Sequence, residues 1–309
     1  MVPGVGGVVK GLAAAAGGVA AVGAGCLAYG SLYELNAFRL REAAVRMLPP
    51  GAPSIRVLHI SDIHMTPKNV ARQRWIANLA RLEPDLVINT GDNLAHIDAV
   101  DYVLESLDGL LDIPGVYVWG SNDYYGPTFK NPLRYVTEPG RTGDTNPYPL
   151  PWRDLDRGFK EAGWVDLTHT RETLVIKGVR LAFRGVDDAH LSQDHYSTVA
   201  GPIDRTKADA AIGVTHAPYR RVIDAMTYDG HDLIVAGHTH GGQVCVPGFG
   251  ALVSNCDLDT GRVKGLSTHT AAGQTAWLHV SAGLGTSPYA PFRFACPPEA
   301  TLLTLTART

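Results

Sequence analysis

Asp232-Leu233-Ile234-Val235-Ala236-Gly237-His238-Thr239-His240-Gly241-Gly242 runs from apolar residues straight into two imidazoles set among glycines. A short apolar run bounded by Gly reads as a buried strand, and two histidines are a costly way to build a plain turn and a useful way to build a site. Working outward, the same design recurs. Ile55–Ile60 leads to Ser61-Asp62-Ile63-His64, and Leu86–Asn89 to Gly91-Asp92-Asn93. Val116–Trp119 leads to Gly120-Ser121-Asn122-Asp123, and Ala211–Val214 to Thr215-His216. Ligands of α/β sheets gather beyond the carboxyl ends of the strands. Strand ends far apart in sequence are therefore expected to meet at one cleft.

Between these strands lie helical patterns at Val70–Leu82, Val100–Leu111 and Arg220–Met226. Apolar strands alternating with helices imply an α/β fold with largely parallel, buried pairing. Thr173–Phe183 reads as a hairpin turning at Lys177-Gly178, and further strands are expected near Ala276–Val280 and Thr301–Leu305. Tyr124–Trp164 reads as a long surface loop with one helix near Leu155–Ala162. The order of elements suggests two sheets, each covered by helices. Pro49-Pro50-Gly51 marks a boundary, dividing the chain into an N-terminal segment, 1–50, and a main domain, 51–309.

Gly11–Tyr33 contains no charged residue and is long enough to cross a hydrocarbon core of about 30 Å as a helix. Three fates fit it: a single-pass membrane anchor, a cleaved signal peptide, or a lipoprotein signal ending at Cys26. The anchor is the expectation taken, with Glu34–Arg46 as its polar helical continuation. Arg39, Arg41 and Arg46 follow the span and Lys10 alone precedes it, which places the main domain on the cytoplasmic side. The 27 basic and 30 acidic residues argue against a nucleic-acid binder relying on bulk positive charge. Cys26, Cys245, Cys256 and Cys296 form no CxxC pair and read as core or free thiols.

Asp62, His64, Asp92, Asn122, His216, His238 and His240 together offer carboxylate, imidazole and amide donors with no thiolate. That mixture suits borderline or hard divalent ions such as Mn, Fe, Zn or Co. Seven side chains exceed the needs of one ion, so two divalent ions are expected, about 3.5–4 Å apart and sharing a carboxylate.

The order Asp-x-His, Gly-Asp, Gly…Asn, His, Gly-His-x-His resembles the calcineurin-like metallophosphoesterases from Val57 onward. The form Gly237-His238-Thr239-His240-Gly241-Gly242-Gln243 is similar to the bacterial membrane-associated branch, related to phosphodiesterases and to UDP-diacylglucosamine pyrophosphatases. The resemblance implies a four-layer αββα sandwich, here preceded by the transmembrane helix. It implies that Asp62, His64 and His240 hold one ion, that Asn122, His216 and His238 hold the other, and that Asp92 bridges them. It further implies hydrolysis of a phosphoester or phosphoanhydride by a hydroxide between the ions, with no side-chain nucleophile. The family usually has Gly-Asn-His at the third motif. Reading Ser121 as an extra residue puts Asp123 in the histidine position, where an ionised carboxylate donates no proton. Asn122 and Asp123 are thus the candidate catalytic residues, with His190, His96 and Tyr124 as candidate acids and Arg293 and His190 as candidate substrate contacts. A weak acid suits good leaving groups, so phosphodiesters and anhydrides are favoured over alkyl monoesters, and Asp123→His is expected to raise alkyl-ester activity. The expected partner is a phosphorylated small molecule or a lipid-linked substrate at the membrane, with no nucleic acid. The alternatives are a phosphomonoesterase or a non-catalytic, membrane-tethered metal- or phosphate-binding protein. The oligomeric state is not specified by the sequence.

Overall fold

Strands that are apolar on both faces lie inside sheets, and β2 (Ile55–Ile60), β3 (Leu86–Asn89), β8 (Ala210–Val214) and β9 (Leu233–Ala236) are buried almost throughout. The computed structural model describes residues 17, 18, 20–128 and 148–308. In it the first sheet also contains β1 (Arg39–Leu48), β4 (Gly115–Tyr117), β5 (Val165–Asp166) and β14 (Glu299–Ala307), in the order β1-β14-β2-β3-β4-β5. The second adds β6 (Arg171–Ile176), β7 (Val179–Gly185), β12 (Gly265–Ala271) and β13 (Gln274–Val280), in the order β12-β13-β9-β8-β7-β6. A ribbon of β10 (Cys245–Val246) and β11 (Gly250–Ala251) stands apart. Both sheets are mixed: β14 runs antiparallel to β2, β13 to β12 and β7 to β6, while the other pairs are parallel.

Alternation along each strand sorts side chains into layers. Val57, Ile88 and Val116 face Leu181, Ile212 and Val235 in a core between the two sheets. Their sequence neighbours Leu58 and Val87 point the other way, onto α1 (Val70–Ala77), α2 (Val100–Leu111) and, past the single turn α3 (Ser121–Tyr124), α4 (Trp152–Glu161). On the far side Ile234, Leu278 and Val280 pack with Val222, Ile223 and Met226 of α5 (Arg220–Tyr228). The layers are helices, sheet, sheet, helix.

The N-terminal expectations are corrected. Among the described residues no helix is long and apolar enough to cross a membrane, and the single-pass anchor and the membrane side inferred from it are not retained. Residues 11–16 and 19 of that run lie outside the described residues. Residues 20–28 are helical and end in a π-helical turn, Tyr29–Tyr33, whose Gly30 is buried against Phe292. Glu34 then turns inward, and its carboxylate accepts the N–H groups of Ala295 and Cys296 at 3.0 and 2.6 Å. The end of the apolar run is therefore used for docking onto the domain. Arg39–Leu48 is not a helical continuation but the edge strand β1, paired in parallel with β14. Its sequence contains good helix formers, and only its partner at the other end of the chain makes it a strand.

Candidate metal centre

β2, β3 and β4 run parallel in one sheet, and β8 and β9 do so in the other. Their carboxyl ends open on the same edge of the sandwich. There the backbone leaves the ordinary strand conformation abruptly: φ is +50° at Asp62, +43° at His64, +56° at Asp92, +69° at His238 and +50° at His240. Left-handed conformations at non-Gly residues cost about 1–3 kcal/mol each and collect at functional sites, and Asp and His are among the residues that tolerate them. Two glycines make room. A Cβ at Gly120 would collide with Asp92 Oδ1 and meet His216 Nδ1 at 2.7 Å. One at Gly237 would collide with Ser61 Oγ and meet Asp62 Oδ2 at 2.7 Å.

Asp62, His64, Asp92 and His240 each bring one ligand atom within 4.8 Å of the others. His64 Nε2 lies 3.2 Å from His240 Nε2, which is 3.6 Å from Asp62 Oδ1. Asp92 Oδ2 is 3.5 Å from His64 Nε2 and 3.6 Å from His216 Nε2, so one carboxylate oxygen stands between two histidines. The His238 ring crosses that of His216 with centroids 5.2 Å apart. Asn122 grips the central carboxylate with its backbone N–H on Oδ1 and its amide on Oδ2, each at 2.7 Å.

Carbonyl oxygens only accept, so the histidines bonded to them must donate, which fixes their tautomers. His216 Nδ1 donates to Thr90 O at 2.7 Å and His240 Nδ1 to Gly285 O at 3.0 Å, while His238 Nε2 lies between Asn255 O at 3.2 Å and Asn255 Nδ2 at 3.3 Å. The lone pair of neutral His240 is left on Nε2, and Nε2 is the His216 nitrogen that a cation would deprotonate. Such anchoring of the second ring nitrogen is the usual support of a metal-binding imidazole. His216 Nε2 is buried with no hydrogen-bond partner among the described residues. Nitrogen lone pairs beside buried carboxylates form a donor set that a divalent cation completes.

Burial pushes His64 down to about 4 and His238 and His240 well below the usual histidine range, leaving them neutral near pH 7 and able to bind a cation. Burial, together with the Asp92 charge, raises Asp62 to about 6. At Asp92 burial is outweighed by His216, His64 and the two Asn122 hydrogen bonds, which hold it below the usual carboxylate range. His216 is raised to about 9 because Asp92, Asp188 and Asp62 outweigh its burial.

Other residues expected at the site from sequence are placed differently. Asp123 points away from the cleft. It is fully buried, with Oδ2 accepting from Asp92 N at 2.7 Å and Gly120 N at 3.0 Å and Oδ1 from Asn93 N at 2.8 Å. Gly120 caps α3 and Ser121 is its first residue. No residue is looped out, and Asn122 rather than Asp123 reaches the centre. Arg293 is fully buried too, donating to the carbonyls of Ala282, Gly283, Gly285 and Cys296. Its Nη1 and Nη2 are engaged by the loop while Nε has no partner among the described residues, so the side chain lies as a buried loop anchor where a phosphate contact was expected. Tyr124 OH donates to Asp187 Oδ1 at 2.8 Å, and His96 is half-buried and accepts from Asp98 N. His190 is half-buried with its ring centroid 4.6 Å from that of His238, and its Nδ1 lies 3.0 Å from Tyr219 OH.

Sequence reasoning missed three contributors. Asp188 is fully buried, and its Oδ2 has no partner among the described residues. The signal was available, because β7 ends at Gly185 and is followed by Val186-Asp187-Asp188, a further apolar strand running into acids. Arg72 donates to the carbonyls of Ile63 and His64 at 2.7 and 2.8 Å, fixing the first turn from α1. Asn255, which orients His238, sits in an irregular segment with no pattern to announce it.

Comparison with known proteins matches residues 55–242, more than half of the chain, to the model of the calcineurin-like phosphoesterases. The chain is 29% identical over 259 residues to the uncharacterized protein YpbG of Bacillus subtilis (strain 168), covering 82% of each. It is 28% identical over 270 residues to an uncharacterized metallophosphoesterase of Aquifex aeolicus (strain VF5), covering 84% of this chain and 87% of the relative. Among solved structures, an archaeal phosphodiesterase aligns over 74% of this chain and 84% of its own, with 12% identity and a TM-score of 0.36.

Proposed function

The chain belongs to the calcineurin-like phosphoesterases and is a metallophosphoesterase hydrolase, and from that premise we propose that it cleaves phosphodiester or phosphoanhydride bonds at this centre. The observation that carries the reading is Asp92 Oδ2 standing 3.5 and 3.6 Å from the Nε2 atoms of His64 and His216, the position of a carboxylate shared between two ions. Asp62, His64 and His240 would hold the first ion. His216 and His238 would hold the second, with Asn122 beside Asp92 as a further ligand through its amide oxygen. When bound, the ions supply Lewis acidity toward the phosphoryl oxygens.

The protein's own part is positioning. Thr90 and Gly285 orient the His216 and His240 imidazoles through Nδ1, Asn255 holds His238 at Nε2, and Asn122 sets the plane of the Asp92 carboxylate. Asp123 clamps the backbone of Asp92 to that of Gly120. His190, packed on His238 and bonded to Tyr219, offers the imidazole that contacts a phosphoryl or leaving-group oxygen. No histidine follows Asn122 in the third motif, and this supports substrates with good leaving groups over alkyl monoesters.

The test is hydrolysis of bis(p-nitrophenyl) phosphate against p-nitrophenyl phosphate with added Mn²⁺. The diester is the expected better substrate, and Asp92→Asn is expected to lower turnover more than about a hundredfold. Full activity in Asp92→Asn, or no hydrolysis of either compound by the wild-type protein, would overturn the proposal.

A further inference from the structure

A buried line of hydrogen bonds leads from the core between the sheets to one oxygen of Asp62. His279 of β13 and His59 of β2 meet across the sandwich, Nδ1 to Nδ1 at 2.9 Å, with rings edge to face. His59 Nε2 reaches Thr90 Oγ1 at 2.9 Å, Thr90 Oγ1 reaches Ser61 Oγ at 2.7 Å, and Ser61 Oγ reaches Asp62 Oδ2 at 2.5 Å. His279 is 1% exposed and the other four residues are 0% exposed. The metal centre does not explain this investment: a pair of histidines buried between two apolar sheet faces is expensive unless every polar atom has a partner.

Chemistry fixes the direction of every bond. The backbone N–H of His238 donates to both Asp62 oxygens, at 3.1 Å each, so the carboxylate acts as an acceptor. Ser61 therefore donates to it and accepts from Thr90. Thr90 in turn accepts, and the proton it accepts is on His59 Nε2. His59 then has its lone pair on Nδ1, and His279 Nδ1–H donates there. Both rings are neutral, since burial lowers each below the usual histidine range. One consistent set of donors thus runs from the second sheet to the first and ends on Oδ2.

That termination leaves Oδ1 as the oxygen facing His240 Nε2, at 3.6 Å. The space around Oδ2 is closed, because a Cβ at Gly237 would meet Ser61 Oγ, Asp62 Oδ2 and Thr90 Oγ1. We propose that His279, His59, Thr90 and Ser61 are positioning residues that tie up Asp62 Oδ2, so that Asp62 ligates the first ion through Oδ1 alone. The inference rests on the metal-centre reading and adds the device that sets one ligand's denticity and orientation.

The experiment is calorimetric titration of Mn²⁺ into the full-length wild-type protein, Thr90→Val and Thr90→Ser. Valine keeps the shape and breaks the line, while serine restores the hydroxyl. Thr90→Val is expected to weaken one binding event roughly 10–100-fold and to leave the other within about twofold, with Thr90→Ser close to wild type. Unchanged binding in Thr90→Val, equal weakening of both events, or a serine variant as weak as the valine variant would overturn the proposal. A wild-type protein that binds no Mn²⁺ would instead overturn the metal-centre reading itself. If Thr90→Val does not fold, ¹⁵N spectra of the wild-type imidazoles decide the matter. A neutral His59 protonated at Nε2 supports the relay, and one protonated at Nδ1 overturns it.

Discussion

Asp123 commits both carboxylate oxygens to the backbone N–H groups of Asp92, Asn93 and Gly120, and so joins the turn after β3 to the turn after β4. A histidine has no pair of acceptors at that spacing, and an asparagine would set its NH₂ against at least one N–H. Each buried donor left unpaired costs about 1–3 kcal/mol. Asp123→His is accordingly expected to lose about 2–4 kcal/mol in urea unfolding and to lose activity on diesters and monoesters alike. This reverses the expectation drawn from sequence, in which the same change was to favour alkyl esters. A variant of wild-type stability with raised monoester turnover would show that Asp123 faces the substrate after all. The residue type at position 123 was legible, but the direction of its side chain was decided by a helical turn of four residues that no local pattern resolves.

At the scale of elements, the loop after β13 shows how a buried cation builds a site without touching the substrate. Gly285 O accepts from both Arg293, at 2.7 Å, and His240 Nδ1, at 3.0 Å, so the guanidinium holds the carbonyl that holds the ligand. Arg293→Met is expected to cost more than about 3 kcal/mol in urea unfolding, because it leaves several buried carbonyls without donors. It should also weaken Mn²⁺ binding, with Arg293→Lys recovering only part, since an ammonium cannot span the same carbonyls. A rise in KM at unchanged stability would identify a phosphate contact instead. The strand ends carrying Asp62, Asp92, His216 and His238 were readable because an apolar run that stops at Asp or His, repeated at strand after strand, is hard to account for by turn formation alone. Arg293 was not, because an arginine beside Phe292 and Phe294 reads equally well as surface or core. β1 was misread for a related reason: Arg39, Arg41 and Arg46 protect a sheet edge, while the same residues spaced along a helix look amphipathic.

For the molecule as a whole, folding gathers acids into one edge of the sandwich before any cation offsets them. Burial raises Asp62 to about 6, and Asp123 and Asp188 to about 7, with the Asp92 charge adding to each. A carboxyl that holds its proton more tightly folded than unfolded favours folding while protonated. Its contribution is largest below the unfolded value near 3.8 and is lost as pH climbs through the folded value. His216, raised to about 9, acts in the same sense at higher pH, its contribution being present below about 6.5 and lost as pH rises through 9. The buried histidines held below the usual range, His64, His238 and His240 among them, act in the opposite sense but only below about 6.5, so protein stripped with EDTA is expected to lose melting temperature from about pH 7 to pH 9, and excess Mn²⁺ to reverse the trend, since metal binding displaces those protons. Thermal scans with and without the ion check this, and a flat profile in EDTA would mean that the acids are better compensated than their burial implies. The pairing of β1 with β14 has a different kind of outcome, in time. Arg41 and Glu299 are 258 residues apart, so at about 5–20 residues per second the first strand waits roughly 10–50 s on the ribosome for its neighbour. Throughout that interval Val45, Met47 and Leu48, fully covered in the finished protein, lack the strand that orders them, and this apolar edge stays open to other chains until β14 emerges.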